Sequence, residues 1–249
     1  WDAPRKGGRL ELNFIAHAQS SEYVGFFSQA ASKKGGAGYK HGTAIIMHHS
    51  EAAKVEAFET DKKGRGVTVR REGNLANFAA IISSVYSHTN PKSKHRKRKA
   101  IRLASDLWES INRLRDGVAN PRVVTKGDLN ATMIESLDRL PQRKQVSPKQ
   151  LKRERSVMEA FAGTREKPNP AQSNNEPPPA PNPTLVDAFR THHPQPIAWS
   201  FTQATTEGII RARLDYTLVD EHTAAAVRSI GIWHGHNPVH RADHSLIVT

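Results

Sequence analysis

The chain has 249 residues, enough to bury a substantial core as one large α/β domain or two smaller ones. Its 37 Lys+Arg outweigh 24 Asp+Glu, giving a formal net charge of +13; this surplus favours a polyanion, nucleic acid before an acidic membrane surface, although it also serves plain solubility. Cysteine is absent, which excludes disulfide partners, thiolate zinc sites and cysteine nucleophiles and leaves oxygen and imidazole as metal donors. No apolar run approaches a membrane span and residues 1–20 lack a signal-peptide layout, so a soluble, intracellular protein without a membrane partner is expected.

Short, branched, apolar runs predict strands at residues 43–47, at 81–86 and at 122–125 just before Gly127-Asp128. Ala100, Leu103, Leu107, Ile111 and Leu114 recur at three-to-four spacing and predict an amphipathic helix. Its upstream flank, residues 92–99, is a basic run that reads as a solvated helix start, a phosphate-contacting ridge or a nuclear address. From 164 to 184 the composition turns to Pro, Asn, Gln and Ser, expected as a disordered surface insertion. Helical spacing resumes at 185–189, and further strands are expected at 213–219 and 245–248. Strands on both sides of helices along the whole length argue for one α/β domain over residues 1–249.

Three places carry chemistry. Gly127-Asp128-Leu129-Asn130 sets a carboxylate and an amide just past a strand end, a proton acceptor beside a neutral hydrogen-bonding group, although the same residues are also ordinary turn chemistry. Arg213-Leu214-Asp215-Tyr216 places a carboxylate within an expected strand, where it needs a partner such as a histidine unless that strand faces water. Asp243-His244 joins a hard oxygen ligand suited to Mg²⁺ or Mn²⁺ with an imidazole able to move protons near neutral pH. The pairs His48-His49 and His192-His193 and the run 234–236 match no common zinc spacing.

Taken in order, Val85-Tyr86, Gly127 to Asn130, Arg213 to Tyr216 and Ala242-Asp243-His244-Ser245 resemble the endonuclease/exonuclease/phosphatase superfamily. Within it the chain looks most like the endonuclease domain of LINE-type (non-LTR) retrotransposons, on residues 42–46, on Leu137-Asp138-Arg139, on the segment 187–194 and on Trp199-Ser200-Phe201. The resemblance implies a four-layered α/β sandwich of two packed mixed sheets flanked by helices, acting by Mg²⁺-assisted hydrolysis of DNA. Asp128 would orient or deprotonate the water with Asn130, and His244, fixed by Asp215, would stabilise the phosphate. Asp243 would belong to the metal network and Tyr86 would contact the phosphate. Ser200 or Thr202 would lie near the scissile strand, and Arg139 would touch nearby backbone. The family's opening strand with its Asn, and the Gln-Glu pair that follows, are not found; Glu11 does not match, so an N-terminally truncated domain is expected. His88 stands where the family has proline and Ala242 where it has serine.

Four activities follow from these residues: retrotransposon-type nicking, cleavage at abasic sites, catalytically dead DNA binding, and hydrolysis of a phosphoinositide or other small phosphoester. Charge favours DNA over the last. A DNA substrate and the basic run together place the protein in the nucleus.

Overall fold

The computed structural model describes residues 8–14, 21–28, 31–32, 39–40, 42–61, 63–73, 78–88, 93–140, 147–164, 184–206, 208–233 and 244–248. Asp243, the run 234–236 and the expected insertion, apart from its end residues Thr164 and Thr184, lie outside them.

In chain order the first elements are β1 (Gly8–Phe14), β2 (Ser21–Ser28), β3 (Ala31–Ser32), β4 (Tyr39–Lys40), β5 (Thr43–His48) and α1 (His49–Ala52). Next come β6 (Val55–Thr60), β7 (Gly66–Arg71), β8 (Ala80–Tyr86), α2 (Lys94–Arg115), β9 (Arg122–Asp128), α3 (Glu135–Asp138), β10 (Arg139–Leu140) and α4 (Pro148–Phe161). The last are β11 (Leu185–Asp187), α5 (Ala188–His192), β12 (Phe201–Thr205), β13 (Gly208–Ala212), β14 (Asp215–Asp220), α6 (Glu221–Ala226), β15 (Gly231–Trp233) and β16 (Leu246–Val248).

The spine is a six-stranded sheet ordered β11-β14-β9-β8-β7-β6, in which β8 and β9 run parallel and every other pair antiparallel. Strand alternation divides its side chains between two faces. Ile81, Val85, Val123, Tyr216 and Leu218 pack against Leu103, Leu107, Trp108 and Ile111 of α2 and Val157, Met158 and Phe161 of α4. On the other face Val67 and Val69 meet Val24 and Phe26 of the β1-β2-β5 sheet, while Val219 meets Phe189, Ala224 and Ile230. The fold is thus a mixed α/β assembly of several sheets flanked by helices, as expected. No helix among the described residues is long and apolar enough to cross a membrane.

α2 begins at Lys94, six residues before Ala100 opens its apolar stripe, so the basic run is the start of the helix. Ser93 caps it by accepting from Arg96 N, and Trp108 Nε1 donates 3.0 Å to Ala160 O to tie it to α4. Its first turn carries Lys94, His95, Arg96 and Lys97 and no acidic residue. Cations there oppose the helix macrodipole, by about 0.3–1 kcal/mol each at low salt.

Three expectations change. The strand predicted at 122–125 continues through Gly127 to Asp128, because its hydrogen-bond ladder with β8 holds to its last residue. The stretch 185–189 splits into β11 and α5, since the Asp187 carboxylate accepts from Phe189 N and caps a helix start inside it. Arg213 and Leu214 precede β14, so Asp215 opens the strand at a half-buried end.

One buried ion network locks the loops around that end. Arg213 is fully buried; its Nε donates 2.9 Å to Asp138 Oδ1 and its Nη1 3.2 Å to Asp187 Oδ1, while its guanidinium lies 4.2 Å from the Tyr216 ring centre. Arg190 also donates to Asp138. Burial by itself would raise the Asp138 carboxyl, but Arg213 and Arg190 overcome it and hold the group below the usual carboxylate range. Replacing Arg213 with Met leaves buried Asp187 without its cation and Asp138 with Arg190 alone. Urea unfolding of Arg213→Met is expected to show a loss of about 3–5 kcal/mol; a loss within experimental error would mean the network holds nothing.

Candidate active site

Strand register assembles the site. Tyr86 pairs with Asp128 across β8 and β9, and Asp128 pairs with Asp215 across β9 and β14. Paired residues share a face, so the three stand abreast on the face turned away from α2 and α4. Beneath them β8 and β9 approach so closely at Gly127 that a Cβ would lie 1.8 Å from the Val85 carbonyl oxygen. Its φ of 151° adds a conformation that side chains resist, and together these require glycine before Asp128.

Asn130 reaches Asp128 by a left-handed turn just past the strand end: its φ is 51°. Asparagine tolerates this region. Its backbone N donates 2.8 Å to Asp128 Oδ1 and its Nδ2 2.9 Å to Oδ2, so both carboxylate oxygens are held. Nδ2 also donates 3.3 Å to Ser87 O, fastening the turn to the end of β8.

His244 closes the cluster. Its Nδ1 lies 2.7 Å from Asp215 Oδ2, which as a carboxylate accepts, and this assigns the ring proton to Nδ1. Nε2 then faces Asp128, 3.9 Å from Oδ2. The ring packs at 5.2 Å against Phe201 with the two planes tilted by 60°, and Ser245 N donates 2.6 Å to Ser200 O. Burial first, and the Asp215 charge second, push the Asp128 carboxyl up to about 6, against hydrogen bonds from Asn130 that pull it down. A proton acceptor poised near neutral pH, beside an oriented imidazole, suits general-base chemistry on water.

Asp128, Asn130, Asp215, His244 and Tyr86 are therefore brought together. Tyr86 is braced from below by Arg65, whose Nη1 donates to the Tyr86 and Ser87 carbonyls at 3.0 and 2.9 Å.

Two expected contacts are placed differently. Ser200 is fully buried and its Oγ accepts from Leu214 N and Asp215 N, 3.0 Å each; it braces the backbone of Asp215 and is shut away from a phosphate. Arg139 donates 3.0 Å to the buried Glu154, whose other partners are Thr132 and Gln150, so its charge is balanced inside the protein. Thr202 is exposed on β12, next to Phe201, whose ring packs against His244.

Sequence reading missed the brace made by Ser200 and the network of Asp138, Asp187, Arg190 and Arg213. The signal was present: each of the four stands in a segment singled out for other reasons. Among the described residues no group of three or more His, Asp or Glu is arranged to hold a metal ion.

The fold and this cluster define a mixed α/β protein with a carboxylate, amide and imidazole site at the ends of three adjacent strands. Scans against protein-family models and curated proteins return no match. Solved structures share the fold. The AP endonuclease LMAP from Leishmania major superposes with a TM-score of 0.62 at 18% identity, over 90% of this chain and 69% of that one. The 3′-5′ exonuclease NExo from Neisseria meningitidis gives 0.60 at 16%, over 90% and 78%. A substituted form of NExo from Neisseria, described as a 3′ phosphatase bound to product DNA hairpin, gives 0.58 at 15%, over 90% and 77%.

The raised Asp128 carboxyl has a thermodynamic signature. Its folded value lies above the ordinary 3.8, so the folded state holds the extra proton between about pH 4 and 6, and stability falls as pH rises through that window. Asp128→Asn removes the titration. It is expected to be more stable than the unsubstituted chain above pH 6, by about 2 kcal/mol, and no more stable below pH 4. Equal stability at pH 7.5 in urea unfolding would contradict the burial assigned to Asp128.

Proposed function

We propose that the chain is a DNA phosphodiesterase, an endonuclease of the endonuclease/exonuclease/phosphatase type closest in character to those of LINE-type retrotransposons. The observation that carries this reading is the placement of Asp128, held by Asn130, beside the Asp215–His244 pair on neighbouring strand ends. Fold neighbours described as an AP endonuclease, a 3′-5′ exonuclease and a 3′ phosphatase bound to DNA support it, as does the net charge of +13.

In the proposed reaction Asp128 accepts a proton from water, or orients it, for attack on phosphorus. The P–O bond breaks, leaving a phosphomonoester on one strand end and a hydroxyl on the other. His244, its Nδ1 held by Asp215, presents Nε2 to the phosphoryl oxygens, where a protonated imidazole offsets developing charge. Tyr86, abreast of Asp128, offers its hydroxyl to the same phosphate.

Mg²⁺, with Mn²⁺ as a substitute, is the proposed cofactor; it would supply Lewis-acid stabilisation of the phosphoryl group. The hard oxygen donors of this cluster suit it. The described side chains do not complete a site for it, and Asp243, the remaining proposed ligand, lies outside them, so no step above depends on its position.

Cleavage at abasic sites is the second reading, favoured by the likeness to the Leishmania AP endonuclease. Incubation with supercoiled plasmid and with matched abasic and intact AT-rich duplexes tests both. The unsubstituted chain is expected to nick plasmid in Mg²⁺ and not in EDTA. Asp128→Ala and His244→Ala each lower the rate by about 100-fold or more. Faster cleavage of the intact duplex supports the retrotransposon type, and preference for the abasic duplex supports the second reading. Retained nicking by both variants, or DNA binding without Mg²⁺-dependent cleavage by the unsubstituted chain, overturns the enzymatic reading.

A further inference from the structure

Beside the strand ends lies a second recess that the proposed chemistry does not use. It is a cavity of about 260 Å³ between the β6–β7 turn, the end of β8 and the first turns of α2. Five cations line it: Lys63, Arg65, Arg98, Lys99 and Arg102. Two histidines, His88 and His95, complete the basic wall, and Asp61 and Asp106 are its acidic members. Three separate elements thus supply positive charge to one concave place.

Its inner wall is shared with the catalytic cluster. Arg65 is buried, and the carbonyls its guanidinium holds are those of Tyr86 and Ser87, at the very end of β8. His88, two residues beyond Tyr86, already faces the recess. A chain of phosphates leaving the catalytic row past Tyr86 therefore meets this cavity next. Asp61 is turned to its own loop: its carboxylate accepts from Lys63 N and Arg65 N, 3.1 Å each.

The outer wall carries an electrostatic conflict. Exposed cations crowd the N-terminal turns of α2, where the macrodipole disfavours them and no acidic side chain in the first turn offsets them. An anion held among Arg98, Lys99 and Arg102 offsets their mutual repulsion through charge-assisted contacts.

We infer that this recess is a backbone-phosphate subsite for DNA, gripping the substrate strand beyond the scissile phosphate on the Tyr86 side. The inference rests on the proposed DNA phosphodiesterase reading for its substrate. It makes the recess a determinant of affinity and footprint, with the chemical step left to the strand ends.

The test uses two triple variants of the full chain with equal charge loss. One is Arg98→Gln, Lys99→Gln, Arg102→Gln; Gln keeps helix propensity at these exposed positions. The other, Lys149→Gln, Lys152→Gln, Arg155→Gln, removes exposed cations from α4, away from the recess. Circular dichroism checks that both fold. Binding to a short DNA duplex is measured by fluorescence anisotropy across a salt series, and cleavage under saturating DNA. The recess variant is expected to lower the slope of log affinity against log salt by about 2 to 3 and to weaken binding roughly tenfold or more near 0.1 M salt. Its kcat stays within about twofold while KM rises. The α4 variant is expected to keep at least two thirds of the native slope. Equal weakening by both triples, or no change with the first, overturns the subsite. Loss of the salt slope in a chain that never cleaves DNA keeps the subsite and rejects the catalytic reading, so the two claims fail separately.

Discussion

Arg213 is the residue on which the geometry of the strand ends depends. It comes two positions before Asp215, and its fully buried guanidinium binds Asp138 from the α3 turn and Asp187 from the start of α5. Its backbone N donates 2.7 Å to Asp138 O, and its carbonyl takes the Tyr216 hydroxyl at 3.0 Å. A buried charge is tolerated only when such partners surround it, so this loop has few alternatives. Ser200 fixes the next two backbone N–H groups. Asp215 is thereby delivered to a defined position opposite Asp128, and His244 has something rigid to lean on.

The candidate site itself was legible in the sequence because each member stands beside a strong local signal. Gly127-Asp128 follows a branched run, Asp215 opens another, and His244 precedes Leu246 to Val248. That Asp128 and Asp215 would lie abreast was not legible, since pairing partners 87 positions apart are set by register, which no local pattern encodes. The left-handed turn at Asn130 was equally hidden, because alternation looks the same until the backbone bends. Strands β6 and β7 passed unread: Glu56 and Glu59 break up the apolar signal of Val55–Thr60, and Gly66–Arg71 offers only Val67 and Val69 before its two arginines. Arg139 and Ser200 show the opposite difficulty. Both residue types suit phosphate contacts, and only burial reveals that Glu154 and the Asp215 backbone have taken them.

The site runs against stability in the way a working site should. Asp128 is buried next to another carboxylate, and its charge is disfavoured at neutral pH. A protein arranged for stability alone would place an amide there. The surrounding fold compensates with the packed core of α2 and α4 against the sheet and with the Arg213 network, both of which lie on the far side of, or below, the strand ends. Rigid support and an unfavourable charge above it are the two halves of preorganisation.

The proposed chemistry turns on Asp215 acting through His244, the two forming one unit that faces Asp128. A double-mutant cycle on plasmid nicking measures this directly, with Asp215→Asn, His244→Ala and the two combined. If the pair is a unit, the double variant is no slower than His244→Ala alone, within about threefold. Losses that multiply would show two independent contributions and contradict the pairing.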